Sequence, residues 1–148
     1  ITAPTSLREK LWSRKDYTTI TPATLSDVAA RRIMEPSIRT QVLDRTRGII
    51  RTNLPALTGW LDERPDLFSY QPPAAGAICY VRYSLDINSS DLAERLRSEK
   101  SVLVVPGDHF GMDYYLRVGF GNPATELELG LDRIANLVDE IQEMIPVN

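Results

Sequence analysis

The chain has 148 residues, 43% hydrophobic and 25% charged, an ordinary globular composition with enough apolar material for one packed core, which excludes disordered, collagen-like and fibrous classes. Seventeen Lys plus Arg against twenty Asp plus Glu leave a net charge of −3, without the basic excess of a nucleic-acid binder. No apolar run reaches the roughly 18 to 20 residues of a membrane span and no signal-peptide pattern opens the chain, so a cytoplasmic protein with neither nucleic acid nor membrane as partner is expected. One cysteine, Cys79, and one histidine, His109, are too few for an internal disulfide or a conventional transition-metal site.

Ile1-Thr2-Ala3-Pro4 reads as the end of a strand leaving a sheet, so preceding sequence is expected. Ser6-Leu7-Arg8-Glu9 has the form of a capping box and predicts a short helix from about Ser6 to Lys15. The hydroxyl-rich, β-branched segment Asp16 to Pro22 predicts an extended loop. Thr24-Leu25-Ser26-Asp27 is a second capping-type start for a short helix that Pro36 interrupts. From Ser37 to about Arg64, Ile38, Val42, Ile49, Leu57 and Trp60 recur at helical spacing and predict a long helix of about 40 Å, with Pro55 expected to kink it. Such a helix can join two domains.

Beyond Arg64-Pro65-Asp66 the pattern changes. Leu67 to Tyr70 and Ala77 to Tyr83, separated by a Pro-Pro-Ala-Ala-Gly turn, predict two strands in a hairpin. Ser89-Ser90-Asp91 predicts a capped helix carrying Leu92, Ala93 and Leu96. Val102 to Val105 reads as a buried strand ended by Pro106-Gly107. Tyr114 to Phe120 reads as another, with Leu116, Val118 and Phe120 on one face and Tyr115, Arg117 and Gly119 on the other. Thr125 to Glu128 is a third capping box, opening a helix with Leu127, Leu131, Ile134, Val138, Ile141 and Ile145 in one stripe. Three helices followed by a ββαββα order predict an α+β fold, helices covering a small, mostly antiparallel sheet.

The candidate chemistry lies between Val102 and Phe120. Arg117, mid-strand and opposite the apolar face, has three readings on position alone: a solvated arginine, a structural ion pair, or a guanidinium that grips a carboxylate with two parallel hydrogen bonds. His109, in the loop that precedes this strand, is either a group that tunes proton transfer or contacts a substrate, or a plain neutral hydrogen-bonding residue. Cys79 reads as a small buried apolar residue, and Trp12 and Trp60 as packing residues. Only three basic residues are lysines, Lys10, Lys15 and Lys100. The first two belong to a charged helix and the third to a helix end, so none suits a desolvated, nucleophilic amine.

Val-Leu-Val-Val-Pro-Gly-Asp-His-Phe-Gly, followed by Tyr-Leu-Arg-Val-Gly-Phe-Gly and a terminal amphipathic helix, resembles the C-terminal region of fold-type I pyridoxal-phosphate enzymes, the class I/II aminotransferases. The opening Ile-Thr-Ala-Pro, the long helix and Pro73 to Ala77 resemble the segments that lead to it. The resemblance implies the end of a large cofactor domain at 1–36, an interdomain helix at 37–64 and a small domain at 65–148. It also implies pyridoxal 5'-phosphate as cofactor of the complete enzyme, amino-acid and keto-acid substrates, and a homodimer. Arg117 matches the arginine that binds the substrate α-carboxylate, Phe110 and Gly111 match the loop beside it, and Tyr17-Thr18-Thr19 resembles the stretch near the neighbouring subunit's cofactor phosphate. The Schiff-base lysine of that family matches no residue here, so this chain alone is expected to be inactive. Two other readings stand beside transamination: a pyridoxal-phosphate lyase or cyclase on the same scaffold, and a non-enzymatic α+β module that binds carboxylates. A piece of such an enzyme should present an exposed apolar face on its first helices, whereas a stand-alone module should be a well-folded monomer.

Overall fold

The computed structural model describes residues 3–143. It divides into two compact units, Ile1–Leu43 and Asp44–Asn148.

The first unit is helical. A short 3-10 turn, Thr5–Leu7, leads into α1 (Arg8–Asp16), followed by α2 (Thr24–Ile33) and the opening of α3 (Pro36–Asp62). Pro36 ends one element and starts the next, because its fixed φ and missing N–H suit the first position of a helix. The Ser6 capping box does not form: Ser6 lies inside the 3-10 turn, and no side chain caps α1 or α2. The segment after α1 is a tight turn rather than an extended loop. The N–H groups of Thr18, Thr19 and Ile20 all reach the Lys15 carbonyl at 3.1 Å, and the Thr18 hydroxyl donates back to Arg14 and Lys15 carbonyls at 3.2 Å. These N–H groups and the one hydroxyl satisfy the open end of the helix, which is the local competition that Thr side chains offer. None of residues 3–43 is buried, and Leu11, Leu25, Val28, Met34 and Trp12 are exposed, Trp12 by 64%. The apolar face expected on the first helices is present, and Trp12 does not pack into a core.

The second unit holds the core. Its elements are the remainder of α3, β1 (Phe68–Tyr70), β2 (Ile78–Tyr83), α4 (Ser89–Lys100), β3 (Val105–Pro106), a 3-10 turn at Gly107–Phe110, β4 (Tyr115–Gly119) and α5 (Ala124–Glu143). The long helix is assigned without a break through Pro55. The sheet runs β1-β2-β4-β3, with every neighbour antiparallel. Val81, Tyr83, Leu116, Val118 and Phe120 are buried with Leu57 and Leu61 of α3, Leu92 and Leu96 of α4, and Leu131, Ile134, Leu137 and Val138 of α5. Burying each of these side chains is worth roughly 1.5 to 3 kcal/mol, which fixes which face of each element turns inward. Ile145, the last residue of the expected α5 stripe, lies outside the described residues.

Three local expectations change here. The cap of α4 is Asn88 and not Ser89: the Asn88 side chain accepts from the Asp91 N–H at 2.9 Å. The helix α5 begins at Ala124, where Pro123 offers its carbonyl to the Glu126 and Leu127 N–H groups, so Thr125 lies inside the helix. Of the expected strand Val102 to Val105, only Val105 pairs, together with Pro106, and Leu103 is 82% exposed. A short apolar run announces burial but not pairing, and here the chain leaving α4 turns through a left-handed Ser101 (φ +54°) before it reaches the sheet edge.

Candidate functional site

Strand β4 presents the site. Its inward face is Leu116 and Val118, and its other face is Tyr115, Arg117 and Gly119, as the alternation predicts. In the ladder Arg117 stands between Tyr80 of β2 and Val105 of β3. Directly opposed residues of antiparallel strands bring their Cβ atoms to about 5 Å, so Tyr80 is Arg117's cross-strand neighbour on this face. Phe110, at the end of the 3-10 turn, meets Tyr80 edge-on, ring centroids 6.3 Å apart and planes at 85°. Tyr80 thus packs on Phe110 and pairs with Arg117 across the ladder, and Gly111 is the residue at which the chain leaves the 3-10 turn.

The turn itself depends on two glycines. Gly111 has φ +71°, a conformation open to glycine without steric cost. A Cβ on Gly107 would lie 2.1 Å from the Met112 carbonyl oxygen and 2.8 Å from Tyr115 atoms, so the chain closes on itself at a point where no side chain fits. The Gly111 and Met112 N–H groups close the loop onto the carbonyls of Asp108 and Gly107, each at 2.9 Å.

The electrostatic state of Arg117 distinguishes it from most of its kind. Three other half-buried cations are partnered: Arg64 lies 4.7 Å over the Trp60 ring, Arg95 bonds Glu99 at 2.8 Å, and Lys100 bonds Glu140. Arg117 is half-buried, and its guanidinium makes no hydrogen bond or ion pair with any described residue. The ion-pair reading of Arg117 therefore has no partner among the described residues. Arg133 of α5 shares that condition; it lines a groove of about 340 Å³ between α5 and the segment 101–104.

The other sequence candidates are dispersed. Tyr17, Thr18 and Thr19 belong to the first unit; Tyr17 is 94% exposed, and Thr19 accepts from Lys15 Nζ at 2.9 Å. His109 is exposed in the 3-10 turn. Cys79 is buried on the core face of β2, and burial pushes its thiol pKa up, away from nucleophilic character. Trp60 packs as expected, 5.1 Å from Phe68.

Two features of the site escape sequence reading. Tyr80 becomes a candidate only through the β2–β4 register. Asn53 of α3, fully buried, donates from its amide to the Phe120 carbonyl at 2.8 Å and the Asn122 carbonyl at 2.7 Å, pinning the end of β4. Its signal was a polar residue at an inward position of an amphipathic helix, four before Leu57.

Comparison with known proteins follows the same outline. The family model described as aminotransferase class I and II matches residues 1–134. Capreomycidine synthase of Streptomyces vinaceus is 41% identical over 63 residues, which are 43% of this chain and 16% of that protein. A PLP-dependent aminotransferase from Streptococcus suis superposes with a TM-score of 0.84 at 29% identity, over 99% of this chain and 38% of that one. The PLP-dependent cyclase OrfR gives 0.82 at 25% identity, over 94% of this chain and 38% of that one. The chain thus spans well under half the length of these relatives.

Proposed function

This chain belongs to the class I and II aminotransferases, and from that premise we propose that it is the C-terminal part of a pyridoxal-phosphate-dependent enzyme acting on an amino acid, with Arg117 binding the substrate α-carboxylate. The observation that carries the reading is the half-buried guanidinium of Arg117, presented on the open face of β4 with no partner among the described residues. A charge held in that state gains most from a carboxylate brought to it, because the ligand completes hydrogen bonds that the protein leaves open. In this reading Tyr80, opposite Arg117 in the ladder, and Phe110, packed edge-on against Tyr80, flank the place where the carboxylate binds.

The chain's residues meet only part of what the cofactor requires. Lys10 and Lys15 are exposed, and Lys100 is committed to Glu140, so no lysine here is a desolvated amine suited to anchoring the cofactor covalently. Arg117 fits the substrate's carboxylate end, while the anchoring group must come from elsewhere in the complete enzyme. Pyridoxal phosphate, when bound, supplies an electron sink for charge that develops at the substrate Cα. Arg117 contributes orientation: fixing the carboxylate selects which bond to Cα is aligned for cleavage.

In this reading 1–36 closes a large cofactor domain, α3 joins the domains, and 65–148 is the small domain. Tyr17, Thr18 and Thr19 approach the cofactor phosphate of a second subunit in a homodimer, which agrees with their exposure. Amino-acid and keto-acid substrates follow for transamination. Cyclisation is the second reading, favoured by the likeness to a protein named capreomycidine synthase and to a cyclase. The deciding experiment incubates the full-length protein and pyridoxal phosphate with each standard L-amino acid and 2-oxoglutarate. Glutamate appearing with a new keto acid supports transamination. A cyclic product without glutamate supports the second reading, and neither product, with cofactor bound, contradicts the use of a standard amino acid.

A further inference from the structure

The loop that delivers Arg117 to the sheet is fastened at both ends by one buried serine. At its start the Asp108 N–H donates to Ser89 Oγ at 3.0 Å. At its end Asp113 Oδ1 accepts from Ser89 Oγ at 2.9 Å, from the Ser89 N–H at 2.8 Å and from the Tyr114 N–H at 2.7 Å. Ser89 has no solvent exposure and is the first residue of α4, so this fastening ties the loop to a rigid element. Ser90 Oγ adds a bond of 2.6 Å to Asp108 Oδ2.

The residue that Asp113 grips is strained. Tyr114 has φ +64°, in the left-handed region that a bulky aromatic residue seldom adopts. Such a conformation persists only where its surroundings over-determine it. Here the N–H is held by Asp113, and the carbonyl accepts from the Tyr83 N–H at 3.0 Å, continuing the β2–β4 ladder. Arg117 follows three residues later. Relaxing Tyr114 would redirect the chain as it enters β4, and a shift of one position there exchanges the two faces of the strand.

We propose that Asp113 is a positioning residue for Arg117: its carboxylate, clamped between Ser89 and Tyr114, holds the entry to β4 so that the guanidinium stands preorganised for a substrate carboxylate. The proposal rests on the assignment of Arg117 to that carboxylate. Asp113 acts through the backbone of Tyr114 and has no part in the chemistry itself. Three donors converging on one oxygen, the Ser89 and Tyr114 N–H groups foremost, also hold its pKa below the ordinary aspartate value.

The test compares Arg117→Ala, Asp113→Ala, Asp113→Asn and the Arg117→Ala/Asp113→Ala double variant in the full-length holoenzyme, using the fastest of the standard L-amino acids. Asp113→Ala should raise KM about tenfold and leave kcat within about twofold. Asp113→Asn, which keeps an acceptor oxygen, should recover most of that loss. Added to Arg117→Ala, the Asp113 change should leave KM unaltered, because both act through one interaction. Amide hydrogen exchange should quicken across 107–117 in Asp113→Ala and stay unchanged in α5. An Arg117→Ala enzyme with wild-type KM overturns the carboxylate assignment and the proposal together. A raised KM for Arg117→Ala beside a wild-type KM for Asp113→Ala, effects that add in the double variant, or unchanged exchange across 107–117 overturns the proposal alone. Should Asp113→Ala not fold, Ser89→Ala removes one of the three donors to Asp113 together with the acceptor of the Asp108 N–H, loosening both ends of the loop, and is judged by the same criteria.

Discussion

Residues 3–43 and the unit that begins at Asp44 contain apolar residues at similar helical spacings, and they use them in opposite ways. In α5 the stripe Leu127, Leu131, Ile134, Val138 and Ile141 is buried against the sheet and its neighbours. In α2, whose pattern is equally amphipathic, Leu25, Val28 and Ile33 are exposed. The difference teaches that periodicity identifies the face an element must cover but is silent on what covers it. A core requires partners of high sequence separation, and the second unit has them: β2 pairs β4 across an intervening helix, and Asn53 bonds carbonyls 67 and 69 residues away.

The sharpest way to break the comparison is a pair of truncations in the 148-residue chain. Phe120→Ala, at a fully buried position, should cost about 3 to 5 kcal/mol in urea unfolding, while Leu25→Ser should change stability by less than about 0.5 kcal/mol. Equal effects would mean that the first unit has a core of its own. Asn53→Ala should cost about 1 to 3 kcal/mol by leaving the Phe120 and Asn122 carbonyls without their donor, and a cost near zero would show that the end of β4 is held by packing alone.

The smallest effect is that of pH. The N–H of Ser89 and that of Tyr114 lower the Asp113 pKa, so the folded state binds this proton less readily than the unfolded chain. The stability this contributes is complete above the ordinary aspartate pKa of about 3.9 and is lost as pH falls through the depressed folded value. The stability gap between wild type and Asp113→Asn should therefore be constant from neutrality to about pH 5 and close below about pH 4. A gap that widened in acid would contradict the sign.

Much of this arrangement was legible in local pattern. The element order, the two faces of β4 and the outward position of Arg117 follow from alternation and helical period. Caps were less legible: the boxes at Ser6 and Thr125 lie inside elements, because a motif of that form is common and the backbone decides whether it is used. Leu103 shows that a run of four apolar residues need not be a buried strand. Tyr80 beside Arg117, and Ser89 clamped by Asp113 24 residues away, depend on register and tertiary approach, which no local pattern specifies.

If Arg117 is kept without a protein partner for a substrate carboxylate, its removal must act on the carboxylate alone. The direct measurement titrates the full-length holoenzyme and its Arg117→Ala variant with an amino-acid substrate and with the corresponding amine that lacks the carboxylate. The variant should lose roughly 30- to 1,000-fold in amino-acid affinity, about 2 to 4 kcal/mol, while amine affinity stays the same. Equal affinities of wild type and variant for the amino acid would contradict it.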